Sequence, residues 1–172
     1  MMNRPVLAKW GRWVAVSAVA AACAALTACM VPQWQKPGTP SDVIAKGMGQ
    51  PHVRVLLPDG GERWVYSYQP AGQQVYHMVF DGQHTLRSVE QVLDEYHFQQ
   101  LRRGVDNRQS VFEYFGKPAL VEHVGNFNGD IWTYRIQQNS LDRQAHVFID
   151  PQGVVQRVMF TDEPRMDDDR RH

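Results

Sequence analysis

Residues 48–51 read MGQP, and residues 115–118 read FGKP. In each, an apolar residue precedes a glycine, and a proline stands two places beyond the glycine. Glycine takes the left-handed backbone that closes a helix, and a proline two residues later cannot continue one. Each tetrapeptide therefore reads as a helix stop. Upstream of the first, Thr39-Pro40-Ser41-Asp42 carries a start signal: an N-cap threonine, proline at the first helical position and an acid in the first turn. Val43, Ile44 and Met48 supply the apolar side of that helix. Upstream of the second stop, Asp106 followed three residues later by Gln109 reads as a capping box, with Val111, Phe112 and Phe115 as the apolar side.

Downstream of each stop the periodicity changes to two. Val53–Leu57 is β-rich, and Pro58-Asp59-Gly60-Gly61 is a turn. Trp64, Tyr66 and Tyr68 then alternate, as do Tyr76, Met78 and Phe80 beyond the Pro70-Ala71-Gly72 turn. Asp81-Gly82 leads into a last strand over Thr85–Val89. After the second stop come Leu120–Val124, the hairpin signal Asn128-Gly129, Trp132 and Tyr134, then His146–Asp150 and Val154–Phe160. Between the two sets, residues 91–103 return to helical spacing, with Val92, Leu93, Tyr96, His97 and Leu101 on one face and Gly104 closing it.

The two halves superimpose as sequence. Gly49 matches Gly116 at an offset of 67, Trp64 and Tyr66 match Trp132 and Tyr134 at 68, and Asp81, Leu86 and Val89 match Asp150, Val155 and Val158 at 69. The drift corresponds to single-residue insertions in turns, where they are tolerated. The fold class expected is α+β, a tandem repeat of two small units in which helix precedes antiparallel sheet. Units of this size are marginal alone without disulfides, so the two are expected to pack together.

The N-terminus reads as a targeting segment. Arg4, Lys9 and Arg12 are followed by a charge-free run from Trp13 to Leu26, shorter than the roughly 20 residues a spanning helix needs. The run ends in Leu26-Thr27-Ala28-Cys29, which resembles a bacterial lipobox with Cys29 as the acylated residue. Cys23 lies within the discarded segment, so the mature chain retains no thiol for a disulfide or a catalytic nucleophile. The expected division is a lipoprotein signal peptide over 1–28, a lipidated tether over 29–38, repeats over 39–90 and 91–160, and a disordered charged tail over 161–172. Trp34 is expected to pack from the tether onto the fold. The sequence has 18 basic and 18 acidic residues; without Arg4, Lys9 and Arg12 the balance is 15 to 18, with no basic stripe to favour nucleic acid.

The order of helix, Gly-x-Pro stop, Trp-x-Tyr strand and Ile149-Asp150 or Phe80-Asp81 turn resembles the BamE (SmpA/OmlA) family of small outer-membrane lipoproteins, here in duplicate over residues 34–160. Leu101 and Gly104 extend the likeness in the second repeat. The resemblance implies two helices followed by a three-stranded antiparallel sheet (ααβββ) in each unit. It also implies a non-enzymatic role in the machinery that assembles β-barrel proteins, on the periplasmic side of the outer membrane. Residue 30 is Met, not the Asp that favours inner-membrane retention in enterobacteria, which agrees with that location. The duplication departs from the single domain typical of the family. The tandem arrangement also resembles secreted β-lactamase inhibitory proteins, implying the alternative of a periplasmic inhibitor or sensor that binds a soluble envelope protein. The expected partners are the membrane, through the lipid anchor, and the barrel-assembly machinery or another envelope protein.

No catalytic residue, cofactor or metal is expected. His77 and His146 occupy equivalent strand positions but lack the neighbouring ligand spacing of a zinc site, and His84, His97 and His123 are scattered. Both matched histidines are assigned to the strand face opposite the core. Trp64, Tyr66, Trp132 and Tyr134 are assigned to helix–sheet cores, leaving Tyr68 and Phe127 as candidate partner-binding aromatics. Asn126–Asp130 reads as a hairpin turn, not a calcium loop, and Asp167–Asp169 as a solvated tail. No phosphate-binding glycine loop, GxSxG or HExxH is present.

Overall fold

A computed structural model of the chain describes residues 30–164. The lipobox, Cys29 and Asp167–Asp169 lie outside the described residues. A 3-10 turn over Pro32–Trp34 leads into α1 (Ser41–Met48), followed by β1 (Val53–Leu56), β2 (Glu62–Ser67), β3 (Val75–Phe80) and β4 (Leu86–Gln91). The second unit has α2 (Glu95–Gln99) and α3 (Arg108–Phe115), then β5 (Leu120–Glu122), β6 (Asp130–Gln138), β7 (Leu141–Ile149) and β8 (Val155–Asp162). The strands form two antiparallel meanders, in the orders β1-β2-β3-β4 and β5-β6-β7-β8. The chain is thus an α+β tandem of helix-then-sheet units.

The repeat extends to individual hydrogen bonds. Tyr66 O–H donates to the Gly49 carbonyl at 2.9 Å, and Tyr134 O–H to the Gly116 carbonyl at 2.9 Å. Asp81 accepts from the Thr85 amide at 2.8 Å, and Asp150 from the Val154 amide at 2.9 Å. The strand register slips at Val79/Phe80 and again at Phe148/Ile149. A Cβ at Gly61 would meet the Phe80 carbonyl oxygen at 2.2 Å, and one at Gly129 the Ile149 carbonyl oxygen at 2.2 Å.

Both helix starts fall one residue later than the capping pattern places them, for one reason. The Thr39 and Asp106 carbonyls accept from the Leu86 and Val155 amides, and Pro40 and Asn107 form isolated bridges to Thr85 and Val154. Pairing holds those residues extended, so the helices begin after them. Pro40 becomes the N-cap of α1, and the Thr39 hydroxyl donates instead to the Lys36 carbonyl. Asn107 caps α3, in a reciprocal box with Ser110. The glycine stops are as expected in φ (Gly49 +84°, Gly116 +75°), but their ψ values of 179° and −160° lie in the extended region that only glycine occupies.

Other expectations are corrected. Each sheet has four strands, not the three implied by the family resemblance, because the segment after each Gly-x-Pro pairs as an edge strand: Val53 opposes Val65, and Leu120 opposes Thr133. The first unit has one α-helix where two were implied. The helix expected over 91–103 shortens to α2, since Gln91 ends β4 and its side chain accepts from the Leu93 amide. The Asn128-Gly129 hairpin exists, but its loop is longer than the two-residue turn, spanning 123–129. Trp34 does not pack down; it is 72% exposed. Residues 161–163, expected in a disordered tail, are ordered: β8 runs through Asp162, and Glu163 pairs with Arg135 at 2.6 Å; the rest of that segment, 165–172, lies outside the described residues.

The packing is layered. One face of the first sheet (Trp64, Tyr66, Tyr76, Met78, Phe80) closes on Ile44 of α1. Its other face gives Val65 and Val75 to the second core, with Phe98, Val111, Phe115, Tyr134, Ile136 and Val147 of the second unit. The first sheet therefore lies between α1 and the α2–α3 pair, which in turn lies on the second sheet. Phe98 and Phe115 stack at 3.9 Å in the middle of the second core. The Trp-x-Tyr strands line the cores, as expected: Trp64, Tyr66 and Tyr134 are buried and Trp132 is half-buried against the second core.

Candidate docking face

The junction between the units shows what this sheet face can bind. A row of directly opposed residues crosses the first sheet: Val53, Val65, His77 and Glu90. α3 lies across it. His77 is 5% exposed, and its Nε2–H donates to the Tyr114 carbonyl at 2.6 Å. Its ring meets the Tyr114 ring edge-on at 4.5 Å. Arg63 donates to the Glu113 carbonyl at 3.3 Å, and its guanidinium sits 5.2 Å from the centre of the Tyr114 ring. Burial pushes the His77 pKa down to about 4, against the raising effect of its bond to Tyr114, so the ring is neutral. Beyond the helix, Gln69 and Arg135 exchange bonds: Gln69 Nε2 donates to the Arg135 carbonyl at 2.8 Å, and the Arg135 amide donates to Gln69 Oε1 at 3.2 Å.

The second sheet carries the equivalent row: Leu120, Thr133, His146 and Met159. It faces away from α2 and α3, and among the described residues no helix covers it. Leu120 is 50% and Met159 42% exposed. His146 is held between two hydroxyls, Thr133 Oγ1 at 2.9 Å from Nδ1 and Thr161 Oγ1 at 2.9 Å from Nε2. Burial lowers its pKa, and Glu122 opposes the shift. The next row, Glu122, Ile131, Phe148 and Arg157, is closed over locally. Phe127 packs edge-on against Phe148 at 5.1 Å, and Arg157 lies over the Phe148 ring at 4.0 Å.

The two aromatics singled out from the sequence fare differently. Tyr68 is exposed and meets Tyr76 edge-on at 6.2 Å. Phe127 is half-buried as a lid on Phe148. They have separate partners and form no common site. His77 and His146 lie opposite their own units' helix-facing cores, as expected, but His77 is buried by the neighbouring unit. His97 pairs with Asp94 at 2.7 Å, His123 with Asp130 at 3.1 Å, and His84 occupies a left-handed turn position where the other repeat has Gly153. Among the described residues, no group of three or more His, Cys, Asp or Glu side chains could hold a metal. Leu120 and Met159 were missed as site residues. The offset that pairs His77 with His146 would have found them.

No family model matches this chain, and no curated protein matches it. Among solved structures it is similar to a DUF4309-family protein from Bacillus subtilis, at 14% identity and a TM-score of 0.31, over 73% of this chain and 79% of that one. It is also similar to a cysteine-rich secretory protein from Staphylococcus aureus, at 16% identity and a TM-score of 0.29, over 74% of this chain and 43% of that one. Likenesses at this level do not bear on function.

Proposed function

We propose that this chain is a non-enzymatic lipoprotein of the outer membrane, anchored through Cys29 and facing the periplasm, that acts as an adaptor in outer-membrane protein assembly or envelope integrity. The observation that carries the reading is the Leu120–Thr133–His146–Met159 row. In its counterpart in the first sheet, His77 donates to a helix carbonyl and meets one aromatic ring, and in the second sheet the two ends of the row, Leu120 and Met159, are open to solvent. The lipobox and the duplicated order of motifs that resembles the BamE family support the location and the partner class. A partner that engages both the membrane-held chain and this face gains effective concentration from the anchor.

The test is photo-crosslinking in cells from positions 120 and 159, in the wild type and in Cys29→Ala. Adducts to barrel-assembly or other outer-membrane proteins, lost in Cys29→Ala, are expected. Adducts to a soluble periplasmic enzyme that persist in Cys29→Ala would favour the inhibitor reading. Crosslinks at neither position would remove this face from consideration.

A further inference from the structure

We propose that the α1 side of the stack, together with the neighbouring turn that carries Trp34, seats directly on the bilayer, and that the docking face of the second sheet is thereby presented away from the membrane. This rests on the reading of Cys29 as the acylated residue. The first described residue, Met30, is already part of the fold. Its side chain lies against α1, where a Cβ at Gly47 would fall 1.9 Å from Met30 Sδ. Consecutive Cα atoms are about 3.8 Å apart, so an anchor on Cys29 leaves the domain at α1 with essentially no tether. The segment expected as a tether over 29–38 is packed structure from residue 30 on, with Pro32 buried and the Trp34 backbone amide donating to the Val31 carbonyl.

The surface at that exit point suits a lipid–water interface. Trp34 is 72% exposed on a short, hydrogen-bonded 3-10 turn. It stands five positions beyond Cys29, a reach of at most about 18 Å. Val43, 45% exposed, stands one helical turn before Gly47, on the same side of α1 as the Met30 contact. Lys36 and Lys46 are exposed in the same two segments. An indole with its apolar ring free and its N–H unspent is the side chain that favours the headgroup level, and lysines beside it favour anionic lipid. A tryptophan left in water a few residues from an acyl anchor is thus explained by the bilayer that the anchor must bring to it. α1 and the second sheet are the two outer layers of the stack, so lipid on the α1 side leaves the Leu120–Met159 face on the opposite side.

The experiment uses the full lipidated protein, purified from membranes and reconstituted into phosphatidylethanolamine–phosphatidylglycerol vesicles with and without brominated acyl chains. Intact mass confirms the acyl chains first. The mature chain's other two tryptophans, Trp64 and Trp132, are buried and half-buried in the cores. Bromine quenching is expected in the wild type and absent in Trp34→Phe. With Cys29 acylated and Cys23 removed with the signal peptide, Met159→Cys gives a single free thiol, which should react with a water-soluble maleimide equally fast with and without vesicles. An acylated, vesicle-bound protein whose Trp34 is unquenched would overturn the seating while leaving the anchor intact. A chain without acyl groups would overturn both. Slower labelling at residue 159 with vesicles present would overturn the orientation.

Discussion

At the level of single residues, two positions carry most of the local constraint. Gly116 combines φ +75° with ψ −160°, and a Cβ there would also touch Ser67 at 3.4 Å. Asparagine tolerates the left-handed helical region but not this one. Gly116→Ala and Gly116→Asn should therefore both lower stability by about 1–3 kcal/mol, read as a shift in urea midpoint at constant slope. If asparagine restored the wild-type midpoint, the strain argument would fail. His77 sets a pH response. Its pKa falls from 6.5 to about 4 on folding, so below pH 6.5 the unfolded chain binds a proton that the folded chain refuses. Its contribution to stability is constant above about pH 6.5 and is lost as pH falls from there towards 4, by roughly 3 kcal/mol in total. Unfolding curves across that window should show the decline, and His77→Gln should flatten it.

Among the elements, the two helix starts make a matched comparison. α3 is capped by the Asn107 side chain, which accepts from the Ser110 amide at 3.0 Å while Ser110 Oγ accepts from the Asn107 amide at 2.8 Å. α1 has no side-chain cap, and the Thr39 hydroxyl points back to Lys36 at 2.7 Å. Asn107→Ala should cost about 1 kcal/mol, and Thr39→Ala much less, although sequence pattern favours Thr39 as a cap. Thermal unfolding of the two variants decides it: equal losses would mean that Thr39 caps α1 after all. The strands differ just as legibly. β2 and β3 are buried on both faces, and they read as nearly continuous apolar runs (Trp64-Val65-Tyr66, Met78-Val79-Phe80). β6 alternates Trp132, Tyr134 and Ile136 with Thr133, Arg135 and Gln137, and its second face is buried at Ile131 and Thr133 and opens only towards Gln137.

For the molecule as a whole, the second core joins the units. Val65 and Val75 of the first sheet are fully buried in the core they share with α2, α3 and the second sheet. The chain should therefore unfold in a single transition, although each repeat has its own helix and sheet. Trp64 reports the first unit and Trp132 the second, so fluorescence of the variants carrying either one alone can be compared with far-ultraviolet circular dichroism. Two separated transitions would show that the units are independent. A fragment ending at residue 91 should lack a cooperative transition, because it exposes the face that α3 covers.

The repeat, the positions of both helix stops, the strand segments along the chain and the core assignment of the Trp-x-Tyr pairs were all legible in the amino-acid sequence, because they rest on local periodicity and on what glycine and proline permit. The helix starts were misplaced by one residue because they depend on pairing with strands distant along the chain, whereas the strand count was short by one only in what the family resemblance implied, since periodicity marks four segments in each half. The layering was not legible at all: nothing local in His77 says that its ring will donate to a carbonyl in the other unit. The same holds for the docking face. Leu120, Thr133, His146 and Met159 are spread over 40 positions and become neighbours only when four strands take their register. Periodicity states which way each residue points along its own strand; which face is then covered is decided by the two helices that pack between the sheets.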